Sequence, residues 1–523
     1  MNFSILDSII FIAYAIIIIG IGLFASRQPK GIKKNATDYF LASKALPWWA
    51  VGASLIAANI SAEQFIGMSG SGFQIGLGIA SYEWMSALTL VLVAVFFLPI
   101  YLKKGIFTMP QFLEQRFDKR VKLVMAIFWL IVFVFVNLTS ILYLGALAVH
   151  NMFNISLTAS IFILAAFAVV YSIYGGLKAV AWTDVIQVIF LIAGGFVITY
   201  FALNKLGGDN FFAGFKNLLT EAPEKFDLIL DKSHPSYIDL PGIGVLIGGL
   251  WVANLYYWGC NQYIIQRALA AKNLFEAQKG LLFAGFLKLL LPLIVVIPGI
   301  AAFVLHQQGV ITIDKPDNAY PVLLSMIPQG IRGLAFAALV AAIISSLASM
   351  MNSISTIFTI DIYKSYIKKD ISEYKMVTIG RICSLVAIII AVFVAPLLSN
   401  LDQAFQYIQE FTGFVSPGAL AIFLCGFFFK RATANGALAT ALATFVFSLI
   451  FKLVFPDMPF LDRMGIVFLL CLLTMWIFAI IENKPPSDKV IVLEKSMFRT
   501  STGFKIGAVI IIIILIILYS IWW

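Results

Sequence analysis

The sequence predicts an all-α integral membrane protein with fourteen transmembrane helices, and three observations carry that prediction. Residues of the set AVILMFWYC make up 61% of the 523 residues and charged residues only 12%, at a mean hydropathy of +0.97. A soluble chain needs about a quarter charged residues to cover its surface, so lipid is the solvent here. Apolar runs of about 20 residues recur along the chain, the length at which a helix crosses the hydrocarbon core with its backbone groups paired internally. Soluble multidomain enzymes, disordered chains and collagen-like repeats are excluded by the same composition.

The runs lie near 8–25, 46–72, 79–101, 123–149, 156–176, 181–203 and 241–266, then 278–306, 331–360, 378–397, 403–429, 433–455, 464–481 and 506–523. The first has no A-x-A-like cleavage site and is followed, not preceded, by Arg27, Lys30, Lys33 and Lys34. It therefore reads as a retained span with its N-terminus outside. Threading the runs alternately puts segments near 26–45, 102–122, 177–180, 267–279, 361–381, 430–431 and 482–505 on one side, and these hold most of the 36 basic residues. That side is cytoplasmic, and both termini are then extracytoplasmic. The net charge of +10 is explained by this orientation rather than by nucleic acid. The opposite-side loop at 204–240 carries Asp209, Glu221, Glu224, Asp227, Asp231 and Asp239, and Trp522 and Trp523 beside Tyr519 suit an interfacial anchor. Cys260, Cys383, Cys425 and Cys471 stand singly and His150, His234 and His306 are scattered, so neither a disulfide framework nor a zinc site is expected.

Polar residues inside the membrane are the informative ones. The second run carries Ser54, Asn59, Ser61, Glu63 and Gln64 among small residues, and an unbroken lipid-facing helix does not tolerate this. An unwound middle near 57–60 is expected; a helix-packing face of small residues is the alternative. The third run adds Tyr82, Glu83 and Ser86, and Lys288 sits deep within FLKLLLPLIVVIP, where its ammonium needs an acceptor such as Glu83 or a polar ligand. The seventh run is glycine-rich and holds Asn254, Tyr256, Tyr257, Trp258, Asn261 and Gln262, again the pattern of a broken helix. Interruptions five runs apart suggest two inverted five-helix halves around a midplane binding site. Ser345 and Ser346, one turn from Ala342, could face the unwound carbonyls and form a neutral oxygen cage for Na⁺; bonding back to the i−4 carbonyl is an equal alternative. The eleventh run places Gln406, Gln409 and Glu410 beside Phe405 and Tyr407. Amides, a Glu–Lys pair and aromatic faces are the groups that recognise a neutral polyol.

The motifs LPWWAVGASLIAANISAEQFIGMSGSG, ASYEWMSA, VYSIYGGLKAVAWTDVIQV, LPGIGVLIGGLWVANLYYWGCNQYIIQR, SSLASMMNS and AFQYIQEFTG resemble the solute:sodium symporter family, in particular its bacterial sodium/galactose and human sodium/glucose branches. The resemblance implies fourteen helices around a ten-helix LeuT-type core. Segments 46–203 and 241–429 would be the two repeats, preceded by residues 1–45, separated by the loop at 204–240 and followed by three peripheral helices in 430–523. It implies a sugar site of Gln64, Glu83, Ser86, Asn254, Lys288 and Gln409. Tyr257 would be the inner gate, supported by Trp258 and Asn59; Met68, Tyr82 and Phe405 would be the outer gate. Backbone oxygens of Ala57, Ile60 and Ala342 with the hydroxyls of Ser345 and Ser346 would bind Na⁺, and Asp184 would lie on the sodium exit path. Members with a second sodium site carry a further hydroxyl beside the serine pair, where this chain has Ala348; one Na⁺ per sugar is expected.

The expected function is sodium-coupled sugar import by alternating access in a plasma membrane, that of a bacterial inner membrane, with galactose or glucose as substrate and Na⁺ as coupling ion without an organic cofactor. No G-x-x-x-x-G-K-[ST] motif supports an ATP-driven pump. Proline or sialic acid as substrate, a membrane-embedded enzyme using Glu83, and a passive channel are the competing readings.

Overall fold

A chain solvated by lipid must pair every backbone amide and carbonyl internally, and helices do this within one segment. The computed structural model describes residues 3–25, 44–400 and 403–523. Among them no strand forms, only an isolated bridge between Leu46 and Ala271. Nine helices there are long and apolar enough to cross a membrane, or ten if the bent pair Ala404–Thr412 and Ser416–Phe428, at 44°, is one span. The expected count of fourteen is larger because it also includes two shorter apolar helices, Ile5–Ile18 and Leu157–Ser172, and two runs that break. The basic segment of Arg27, Lys30, Lys33 and Lys34 lies outside the described residues.

Burial grades the spans. Ile331–Ile367 is 89% buried over its most apolar window and sits at the centre, whereas Ala434–Val454, Phe460–Glu482 and Thr502–Ile521 are 28%, 28% and 22% buried and form the rim. Phe393, Leu453, Leu469 and Ile481 stand exposed on outer helices, a surface suited to acyl chains.

Besides the bent pair, two runs are interrupted among the described residues. Trp48–Asn59 is α-helical, Ile60 turns extended at φ −77° and ψ 93°, and the chain resumes as a π-helix over Glu63–Met68 and an α-helix over Ser69–Gln74. The break therefore falls at 60–61, at the far edge of the 57–60 expected from sequence. The second run passes through Ile243–Ile247 and Gly249–Leu255, widens into the π-helix Tyr256–Cys260, breaks at Asn261 and resumes as Gln262–Leu269.

The helix Leu274–Gln307 runs alongside the first interrupted run, and glycine makes the approach possible at both ends. A Cβ on Gly280 would lie 2.8 Å from Val51 Cβ, and one on Gly299 would lie 2.2 Å from the Ser69 carbonyl oxygen. These two positions are 19 residues apart, about 28 Å of rise, so one continuous helix braces the interrupted run on both sides of its break.

Three details qualify or extend the sequence reading. Helix covers Leu157–Leu206, through the turn expected at 177–180. Yet the Tyr171 hydroxyl meets the Thr183 hydroxyl twelve residues on. A straight helix separates such residues by about 18 Å, so the helical run doubles back between them. Trp522, expected as an anchor in the membrane interface, stacks on Trp84 at 6.5 Å and 16°. Its carbonyl accepts from the Leu228 amide at 2.8 Å, which ties the C-terminus to the 204–240 loop. That loop contains a helix, Phe211–Glu221, and its Lys225 donates to the carbonyls of Phe73 and Gln74 at the end of the first interrupted run.

Candidate functional site

The wide turn of a π-helix carries one extra residue, which redirects side chains and is common at functional positions. Three π-helical segments, Glu63–Met68, Val132–Leu138 and Tyr256–Cys260, present side chains to one cavity of about 660 Å³, counting its open mouth. Gln64, Glu83, Ser86, Asn254, Lys288 and Gln409 all line it, with Tyr257, Trp258, Asn59, Tyr82 and Phe405. Met68 is buried in its π-helical segment and is not among the lining residues.

The polar side chains form a connected network. Lys288 is 1% exposed and its ammonium donates to both Glu83 and Asn59, and it lies 5.0 Å from the centre of the Trp258 ring. A buried ammonium without a carboxylate would be costly, so Glu83 is what lets a lysine exist at this depth. Trp258 Nε1 donates to Ser86 Oγ at 2.9 Å, and Ser86 Oγ donates to Asn254 Oδ1 at 2.8 Å. Asn59 Nδ2 donates to Tyr257 Oη at 3.1 Å, and the Tyr257 and Trp258 rings meet edge-on at 5.2 Å. Tyr82 and Phe405 also meet edge-on, at 5.3 Å.

Five atoms of cavity-lining residues are left over. Glu63 Oε1, Tyr82 Oη, Asn137 Oδ1, Asn254 Nδ2 and Thr412 Oγ1 are buried and have no hydrogen-bond partner among the described residues. Buried polar atoms are nearly always satisfied, so these five leave donor and acceptor capacity beside the cavity that water or a polar ligand could take up. Asn137 and Thr412 are not singled out in the sequence reading, and Glu63 and Asn261 enter it only as polar residues of the interrupted runs. Asn137 lies in VFVFVNL, where one asparagine in an apolar run gives no spacing pattern; its depth in a span was the available signal. A second cavity of about 250 Å³ shares Glu63, Asn137, Tyr257 and Asn261 with the first.

Around the break, carbonyls are released from the helix. The Ser61 amide turns to Gln64 Oε1 at 3.2 Å instead of closing on Ala57. The Ala58 carbonyl accepts from the Tyr263 hydroxyl and from Ser346 Oγ, the latter at 3.3 Å. Ser345 Oγ donates to Asp184 Oδ1 at 2.5 Å, and Ser54 Oγ to Asp184 Oδ2 at 2.6 Å. Both serines thus point away from their own helix, which removes the i−4 alternative. Ala57, Ile60, Ala342, Ser345 and Ser346 are all buried. Ser345 is engaged by Asp184 rather than by the freed carbonyls, a carboxylate partner absent from the sequence reading. Arg267 completes this layer, donating to Ser54 Oγ at 3.0 Å and Ser349 Oγ at 2.5 Å, with its Nε 4.0 Å from Asp184. Among the described residues no cluster of His, Cys, Asp and Glu could hold a metal, and the four cysteines are free.

Comparison with known proteins follows the same line. Residues 39–443 match the Sodium:solute symporter family. The chain is 54% identical to the sodium/glucose cotransporter of Vibrio parahaemolyticus over 99% of its own length and 98% of the relative's. It is 32% identical to sodium/glucose cotransporter 1 of sheep, over 82% of this chain and 69% of that one. Among solved structures, a Na⁺-coupled sialic acid symporter in a substrate-bound outward-open state shares the fold, with a TM-score of 0.81 at 24% identity, covering 93% of this chain and all of the other. A sequence match over most of the chain, a shared fold and interrupted helices around a polar cavity lead to one conclusion: the chain belongs to the Sodium:solute symporter family and is a multi-pass, sodium-coupled solute transporter.

Proposed function

We propose that the protein imports galactose, with glucose as the closely related alternative sugar, together with one Na⁺ per sugar, across a bacterial inner membrane by alternating access. The observation that carries this reading is the set of unpartnered atoms around the cavity, which mixes donor and acceptor chemistry as sugar hydroxyls require. Relatives called sodium/glucose cotransporters support a hexose. The charge of the cavity favours a neutral solute over proline or sialate. Lys288 is the one cation among its described lining residues, and its ammonium is already bonded to Glu83 and Asn59. A substrate carboxylate would find no free cation and would face Glu63.

In this proposal Gln64, Glu83, Ser86, Asn254, Lys288 and Gln409 bind the sugar. Tyr82 and Phe405, near the outer ends of their spans, close above it with Met68 packed behind. Tyr257, held by Asn59 and Trp258, closes below. Na⁺ takes carbonyls of Ala57, Ile60 and Ala342 and the hydroxyls of Ser345 and Ser346, and binding it requires the Ser345 hydroxyl to turn from Asp184. Asp184 then receives the ion on its way to the cytoplasm. Fourteen spans, two inverted repeats over 46–203 and 241–429, and extracytoplasmic termini complete the architecture.

The sodium site borders the break, so an ion there stabilises the bent run that also carries Asn59 and Gln64. Coupling requires this, because an ion indifferent to the two access states shifts neither. Each charge moved through 100 mV supplies about 2.3 kcal/mol, roughly a fifty-fold sugar gradient. The test is uptake of radiolabelled galactose into proteoliposomes, with glucose, proline and sialic acid as competitors. Competition by glucose and not by the two carboxylates is expected; inhibition by proline or sialic acid alone would reject the sugar assignment.

A further inference from the structure

We infer that the cytoplasmic rim of the bundle, away from the transport site, holds a binding site for the phosphate headgroup of an anionic phospholipid. A cavity of about 590 Å³, counting its open mouth, is lined by Arg116, Arg120, Lys430, Arg431 and Lys484, with Glu482 as the one carboxylate among its described lining residues. The neighbouring groups do not balance this charge. Arg116 is 2% exposed yet has no carboxylate partner among the described residues; its guanidinium is bonded to the carbonyls of Gly426, Phe429 and Ala432 at 2.8, 3.0 and 3.4 Å. Arg120 is paired with Asp118 and donates to Asn435 Oδ1, and Lys484 is paired with Glu482. Lys430 and Arg431 are exposed and have no hydrogen-bond or ionic partner among the described residues.

A backbone feature adds to the cations. The 21-residue helix Ala434–Val454 begins at this cavity, where Thr433 Oγ1 caps the Gly436 amide, and Ala434 and Asn435 of its first turn are lining residues. The positive end of its dipole therefore points into the same space. A phosphate would meet two unpaired cations and helix-end amides at once.

The surroundings select a lipid over a free anion. Phe428 precedes Lys430 and is 46% exposed; Trp476, Ile480 and Ile481 precede Glu482 and are 55%, 55% and 73% exposed. Apolar surface on which acyl chains can lie thus runs directly from the cationic cavity. A basic pocket at the cytoplasmic end of apolar helices is the arrangement that recognises anionic headgroups.

The site is tested by native mass spectrometry of the full-length protein in detergent, titrated with dioleoyl phosphatidylglycerol, dioleoyl phosphatidylcholine or inorganic phosphate. The variants are Lys430→Ala/Arg431→Ala and, as a control for general attraction to cytoplasmic charge, Lys368→Ala/Lys369→Ala. All four side chains are exposed, so both variants are expected to fold. The unaltered protein and the control should retain phosphatidylglycerol at least tenfold better than phosphatidylcholine, and the Lys430/Arg431 variant should lose that preference. Equal retention by the Lys430/Arg431 variant, or an equal loss in the control, overturns the site. Displacement of phosphatidylglycerol by an equal concentration of inorganic phosphate would assign the pocket to a soluble anion and overturn the lipid.

Discussion

Asn59, the last residue of the helix Trp48–Asn59, donates to the Tyr257 hydroxyl at 3.1 Å, so the two interrupted runs are joined directly at the polar cavity. The same Asn59 accepts from Lys288, which is paired with Glu83. Any shift of one interrupted run is thereby felt by the other and by the groups proposed to hold the sugar.

Replacing Tyr257 separates ring from hydroxyl. Tyr257→Ala removes the face on which the sugar is proposed to stack and should weaken galactose binding roughly tenfold, about 1.4 kcal/mol. Tyr257→Phe keeps the ring and loses only the bond to Asn59, about 1 kcal/mol, with a milder effect on affinity. Equilibrium galactose binding measures both, and unchanged affinity in Tyr257→Ala removes this residue from the site.

Ser346→Ala should raise the Na⁺ concentration required for half-maximal uptake about fivefold, the equivalent of about 1 kcal/mol, while leaving thermal unfolding nearly unchanged. Ser345→Ala should do the same, because the hydroxyl it removes is proposed to serve the ion once released from Asp184. A sodium requirement unaffected by either change would place the ion elsewhere.

The buried pair of Lys288 and Glu83 should be non-additive. Lys288→Met or Glu83→Gln alone leaves its partner unpaired at depth, at a cost of about 3–5 kcal/mol, whereas the double variant restores a neutral pair and should unfold at a higher temperature than the Lys288 variant. Both singles and the double should lose sugar transport. Strictly additive losses of stability would mean that the two side chains are not coupled.

Gly299→Val tests the bracing of the first interrupted run. A side chain there has 2.2 Å to the Ser69 carbonyl oxygen, and backbone cannot move aside cheaply. Loss of folded protein from the membrane is expected; normal yield and transport would show that the close approach is dispensable.

The sequence made the class and most of the cavity legible because lipid makes polar residues conspicuous. Glu83, Lys288 and Gln64 stand out for their cost in an apolar run, and all three line the cavity. The breaks were legible to within a few residues, since polar and small residues cluster there, but the residue at which a helix yields depends on tertiary contacts such as the Tyr263 hydroxyl on the Ala58 carbonyl. Asn137 and Thr412 stayed hidden for want of any pattern, and the bond between Ser345 and Asp184 joins residues 161 apart that no local spacing could pair. The stacking of Trp522 on Trp84 joins residues 438 positions apart, which no local pattern in an aromatic terminus could pair.

Linkage between ion and sugar is the most direct test of the account. Galactose affinity of the purified protein is measured in NaCl and in choline chloride, and Na⁺ affinity with and without galactose. A tighter galactose complex in Na⁺, matched by a rise in Na⁺ affinity of the same factor when galactose is bound, is the predicted result. Equal galactose affinity in the two salts would contradict an ion that acts through the interrupted helix beside the sugar.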